Sequence, residues 1–174
     1  MTKEKKGETA EKKAEAVVEE QTPDQVDAAN KTIRTHVLSA MGVGLVPIPL
    51  VDLLGITGIQ INLIRKLANI YEVPYTRDKI KNVLTPLVGG AFPVVSATTM
   101  ISLFKAIPII GQTTGALAVS ITSGAVTYAV GKVFLQHFAS GGTFLTFDPE
   151  KVRDYYEAMV KEGRKAAADL NAGK

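Results

Sequence analysis

Asp52, Gln60 and Asn62 fall inside a stretch that otherwise avoids water, HVLSAMGVGLVPIPLVDLLGITGIQINLI, His36 to Ile64. An ionisable side chain in such surroundings is the raw material of a pore, a relay or a substrate site, because leaving it unsolvated is costly. Asp52 has a plainer explanation. It lies in the first turn after Pro49, where a carboxylate meets the unpaired amides and positive dipole end of a new helix. Gln60 and Asn62, with Asn69, scatter around a helix, which weakens a shared polar lining. The two histidines, His36 and His137, could be ligands or proton carriers. Neither is accompanied by Cys, a second nearby His, or Asp or Glu at ligand spacing, so a boundary position is expected of both and no metal site.

Motifs for nucleotide and acyl chemistry fail on their spacing. Gly131-Lys132 would need glycine five residues earlier and Ser or Thr next, and Val126 and Val133 stand there. MGVGLV lacks the third glycine and the preceding strand of a dinucleotide fingerprint. No serine sits in a nucleophile elbow. The chain has no cysteine, which excludes disulfides and thiolate metal sites. No catalysis and no cofactor are expected.

The basic residues Arg65, Lys66, Lys79 and Lys81 can meet anionic lipid head groups, each contributing about 1 kcal/mol near a charged leaflet, or can serve only to fix topology. A nucleic-acid partner is not expected, since the net charge is only +3 and aromatics are 6% of residues. Gly111, Gly115, Ala118, Thr122, Ala125 and Ala129 form a stripe of small residues at alternating spacings of four and three. In lipid, such stripes let helix backbones approach closely. They serve either self-association into a homo-oligomer or packing against a helix of the same chain.

These residues need helices to hold them. At 174 residues the chain suits one domain with tails. Charges crowd both ends, and between Asn82 and Gly131 Lys105 is the only one. Residues 1–21, mixed Lys and Glu, read as a charged, disordered tail. Thr22, Pro23 and Gln25 read as a helix start with a capping box. The helix they begin is apolar all round from Val37 and cannot pass Pro47 and Pro49 unbroken. Pro49 starts the next, ending near YEVPYT. The apolar arms, about ten and fifteen residues, are short for a bilayer crossing of roughly twenty, so Pro47-Ile48-Pro49 reads as the tip of a re-entrant wedge.

Thr76 caps a further helix. Two uncharged runs follow, Val83 to Phe104 and Ile109 to Gly131, each long enough to cross, with Pro86, Gly89, Gly90 and Pro93 expected to kink or interrupt the first. Asp148 and Pro149 begin an amphipathic helix with Val152, Tyr155, Tyr156, Met159 and Val160 as its apolar stripe. The expected fold is all-α: membrane-inserted helical hairpins over 23–72 and 76–137 within an embedded domain 22–140, then a water-facing segment 141–174 with the amphipathic helix. As hairpins, they leave only Lys105 on one side and all other basic clusters on the other, which the positive-inside rule assigns to the cytoplasm.

VPIPLVDLLGITGIQINLIRKLANIYEVPYTRDKIKNVL, followed by IPIIGQTTGALAVSITSGAVTYAVGKVFLQHF, resembles the bacterial domain of unknown function found in YcjF-type membrane proteins and attached to Era-like GTPase domains. The shared features are the Pro-containing turn before an apolar helix, Gln60, the Arg65-Lys66 pair, Tyr71, and the Pro-x-x-Gly entry to a small-residue helix. The resemblance spans roughly Thr35 to Glu162. It implies a helical inner-membrane protein without assigned enzymatic activity. This chain has no nucleotide-binding domain, so a GTPase role is not implied.

Taken together, the expectation is a non-enzymatic integral protein of the bacterial inner membrane, termini facing the cytoplasm. It would self-associate and act as a scaffold, a membrane-shaping protein or a recruiter of a cytoplasmic partner. Two alternatives stay open. One is a small oligomeric pore or transporter lined by Asp52, Gln60 and Asn62. The other is a soluble assembly whose apolar helices bury one another, which the absence of Trp favours because membrane spans usually carry aromatic belts.

Overall fold

Pro23, Pro49 and the Thr76 hydroxyl each mark the beginning of a helix. The computed structural model describes residues 22–45, 49–91 and 112–172, with side-chain surroundings for 22–45, 55–87 and 117–172. Its helices are α1 (Pro23–Val43), α2 (Pro49–Ile70), α3 (Arg77–Ala91), α4 (Gln112–Ala139) and α5 (Arg153–Asn171). The described residues form an all-α bundle of these five helices.

Thr22 is extended and Pro23 follows as the first helical residue, as the sequence predicts. The capping box does not form. Thr22 makes no side-chain cap bond, and the Gln25 Nε2 amide donates across to the Ile70 carbonyl at 3.4 Å. That carbonyl is one of the four at the end of α2 without an intrahelical donor, so Gln25 closes a neighbour's end instead of its own. α2 stops in a Schellman turn. The Val73 N–H donates to the Ala68 carbonyl at 2.7 Å and Glu72 takes a left-handed φ of 55°, a conformation that favours glycine.

Thr76 caps α3 through the Lys79 N–H at 3.4 Å. Ile80, Val83, Leu84 and Leu87 then repeat at helical spacing and are buried. α3 runs through Pro86 and the two glycines to Ala91. Pro86 and Asn82 are both exposed, so the carbonyl that Pro86 deprives of a donor has water to turn to.

Three antiparallel pairings build the bundle. In α1–α2, Gln25 bonds Ile70 and the His36 imidazole meets Asn62, while Gly55 lies against Val43. In α1–α4, Lys132 bonds Asn30 and the Ser120 hydroxyl donates to the Met41 carbonyl at 2.9 Å. In α4–α5, the Tyr128 hydroxyl donates to the Glu162 carboxylate at 2.6 Å. α4 also packs on α2, while α5 meets α1 and α3 only at their margins. The centre is therefore α4, apolar on every face because it has neighbours on three sides.

Beyond α4, Gly141 at φ 74° turns the chain and the Gly142 N–H donates to the His137 carbonyl at 2.9 Å. The turn lays Phe144 and Phe147 over Phe134 and Phe138. Phe134 and Phe147 stack at 4.6 Å, and Phe138 and Phe144 meet edge-on at 5.2 Å. Asp148 does not cap α5. Its carboxylate accepts from the Glu150 N–H at 3.1 Å in a local turn, and the helix begins at Arg153. Its stripe is the expected one, with Tyr156 fully buried and Tyr155, Met159 and Val160 packed beside it.

Candidate functional site

The uncharged lengths of α1, α2 and α4 come together in the bundle, with the charged helix α5 packed beside them on α4. α1 carries no charged residue after Arg34, α2 none from Leu53 to Ile64, and α4 none before Lys132. The antiparallel register brings these lengths side by side. From Arg34 to Gly44, ten residues of helix rise about 15 Å, half of a hydrocarbon core of about 30 Å. Large apolar side chains stand exposed there: Leu38 and Leu45 at 47% each, Val119 at 43% and Leu117 at 39%.

The outer stripe of α1 reads Lys31, Arg34, Leu38, Gly42, Leu45, all exposed. It passes from cationic to apolar along one line. On α2, the uncharged Thr57 and Gly58 are exposed near one end and Arg65 and Lys66 are exposed below them. The His36–Asn62 bond sets Arg34 and Arg65 about level on the two antiparallel helices. Lys79 and Lys81 are exposed on α3.

Polar groups interrupt the apolar interior. His36 is buried; its Nδ1–H donates to the Thr32 carbonyl at 2.7 Å and its Nε2 accepts from the Asn62 amide at 3.2 Å. This arrangement needs the neutral ring, and burial, followed by Lys66, lowers its pKa, partly opposed by the Thr32 bond. Gln60 and Thr127 are buried too, and Gln60 Nε2 and Thr127 Oγ1 have no hydrogen-bond partner among the described residues. The structure thus joins Asn62 to His36, a pairing that no sequence spacing announced. The side chain of Asp52 lies outside the described residues. His137 donates from Nε2 to the Thr143 carbonyl at 2.9 Å and sits edge-on to Phe147, which gives it a structural place in the turn.

Of the small-residue stripe, Ala125 and Ala129 are fully buried within the chain, and Ala118 and Thr122 are exposed. Gly111 and the surroundings of Gly115 lie outside the described residues. A second stripe makes the closest approach to α1. A Cβ at Gly124 would stand 2.7 Å from Met41 Cγ, and one at Gly131 the same distance from Ile33 Cγ1; one at Gly44 would be 2.9 Å from Ser120 Cα. Ser120, Gly124, Thr127 and Gly131 are displaced by two positions from the stripe read in the sequence, about 200° around the helix. Composition does not separate them, because small residues surround α4 on most faces.

Between α1, α4 and α5 an open cleft of about 310 Å³ is lined by Asn30, Arg34, Tyr128, Asp169 and Leu170, among others. At its edge the Lys132 ammonium donates to Asn30 Oδ1 at 3.0 Å and stands 5.5 Å from the Tyr128 ring centroid. Among the described residues no three His, Asp or Glu side chains converge as a metal ion requires. α4, over Leu117–Ala139, is long and apolar enough to cross a membrane, and 56% of an 18-residue stretch within it is buried inside the bundle.

Residues 6–165 match the family described as Domain of unknown function (DUF697). The chain belongs to the DUF697 family. The match agrees with the resemblance carried by the paired prolines, Gln60 and Arg65-Lys66. This DUF697 chain is also 32% identical over 157 residues to "Magnetosome membrane protein 22" of Magnetospirillum gryphiswaldense, covering 88% of this chain and 80% of that protein. No solved structure matches.

Proposed function

We propose that this DUF697 protein is a non-enzymatic helical scaffold of a bacterial membrane, one that packs its apolar helices against each other and enters lipid by the uncharged half of the α1–α2 hairpin, with α5 turned to water. The observation that carries this reading is the exposure of Leu38 and Leu45 on α1 and of Leu117 and Val119 on the neighbouring α4. Scattered exposed leucines are ordinary, but a gathered apolar patch next to charge-free backbone marks an interaction surface. The membrane relative in Magnetospirillum gryphiswaldense supports lipid as the partner. The 15 Å depth supports a wedge in one leaflet over a crossing.

The burial of 56% of an 18-residue apolar stretch of α4 favours the self-packed bundle over separate membrane hairpins. Exposed Ala118 and Thr122, beside Leu117, are the surface we assign to self-association, with the cytoplasm holding the charged face that recruits a protein partner. Carbonate extraction of membranes from cells making the full chain tests the reading, together with flotation of the purified chain on lipid vesicles. Retention in the pellet and flotation are expected. Release by carbonate with no flotation overturns the membrane assignment and leaves a water-soluble bundle.

A further inference from the structure

We infer that Lys31, Arg34, Arg65 and Lys66 form an anionic-lipid site at the waist of the α1–α2 hairpin, where phospholipid phosphates bind as the tip enters the bilayer. The inference rests on the membrane reading above and adds the class of lipid. All four side chains are exposed. The ion pairs among the described residues are Lys151–Asp148 and Arg153–Glu157, so these four cations are not neutralised by a carboxylate there. Arg34 shares its cleft with Asp169, without an ion pair between them.

Position makes the case, beyond charge. On both helices the first charge met below the uncharged half is a cation, Arg34 on α1 and Arg65 on α2, and the antiparallel register sets them level. The carboxylates of α1 lie further from the tip, Asp27 about one turn beyond Lys31 and two beyond Arg34, and Asp24 about one turn further still. A wedge about 15 Å long that fills the hydrocarbon half of one leaflet places this cation level among the phosphates, whose charge is felt over about a Debye length. The exposed cations of α5, Lys161, Arg164 and Lys165, stand on a helix that meets α1 only at its margin and make a comparison triple of equal charge.

The test uses the full chain with vesicles of phosphatidylcholine and with vesicles in which part of it is replaced by phosphatidylglycerol. Wild type should bind both and prefer the second. The triple variant Arg34→Gln/Arg65→Gln/Lys66→Gln should lose roughly five-fold of its affinity for anionic vesicles per cation removed, keeping its affinity for neutral ones and its helical circular dichroism. Lys161→Gln/Arg164→Gln/Lys165→Gln should change anionic binding by less than about two-fold. Equal losses from the two triples, or equal wild-type binding to both vesicles, overturn the lipid site alone. Binding to neither vesicle overturns the membrane reading with it.

Discussion

Gly163 lies in the middle of α5, and replacing it with alanine sets two known effects against each other. In an exposed helix the change gains about 1 kcal/mol, because glycine pays more backbone entropy than alanine. Here a Cβ would stand 2.8 Å from the Ala125 carbonyl oxygen, 3.0 Å from Ala125 Cα and 3.0 Å from Tyr128 Cβ. Two of those atoms are backbone at the centre of α4, flanked by α1 and α2, and cannot swing aside. α5 must move out by about half an ångström, and a gap of that size forfeits a quarter or more of each contact's attraction. Tyr156 and Ala167, both buried, and half-buried Met159 and Val160 share the loss. Overpacking of this kind costs about 1–3 kcal/mol, so Gly163→Ala is expected to lose about 1 kcal/mol net, and Gly163→Val more. Urea unfolding followed by far-ultraviolet circular dichroism reads the difference as a midpoint lowered by roughly 0.5 M at unchanged slope, for a slope near 2 kcal/mol/M. A midpoint raised by Gly163→Ala would refute the docking of α5 on α4, since only a helix free of a neighbour gains from the change. Ala168→Gly, at an exposed position one turn away, calibrates propensity and should cost about 1 kcal/mol.

His36 makes stability pH-dependent. Its folded pKa lies below the ordinary 6.5, so its contribution is complete above pH 6.5 and is lost as pH falls from there through the folded value; unfolding midpoints from pH 8 to pH 5, compared with His36→Leu, should show that slope only in the wild type. Glu72→Gly removes the left-handed strain of the α2 terminus and should stabilise by about 1 kcal/mol, read as a higher thermal midpoint. Thr127→Val keeps the volume and deletes a buried hydroxyl without a partner among the described residues, so it should be neutral or stabilise by up to about 1 kcal/mol, whereas a clear loss would reveal a bound water or donor at Oγ1.

Helix starts were the most readable part of the chain, because they depend on a few neighbouring atoms. Pro23, Pro49 and Thr76 begin α1, α2 and α3 where their chemistry places them. Gln25 and Asp148 show the limit. Each has the composition of a cap, yet Gln25 finds a better-placed acceptor at Ile70 and Asp148 spends its carboxylate on a turn that delays α5 until Arg153. Which small residues of α4 approach α1 was not readable, since Gly124 and Gly131 are selected by where Met41 and Ile33 fall after folding. The docking of α5 was equally hidden, resting on Gly163 fitting Ala125, and so was the stacking of Phe144 and Phe147 on Phe134 and Phe138. Among the site residues, Arg65, Lys66 and Arg34 were visible as charges. Their common level required the antiparallel register, and the His36–Asn62 bond required it too.

The central position of α4 also bears on how the protein is made. Ser120 reaches Met41 across 79 residues and Lys132 reaches Asn30 across 102, so α1 and α2 leave the ribosome long before the helix that covers them exists. During that interval Ile33, Val37, Met41 and Leu63 have no α4 to cover them, and contacts between distant segments are slow to form. The nascent hairpin thus keeps this apolar surface uncovered until α4 arrives to close it.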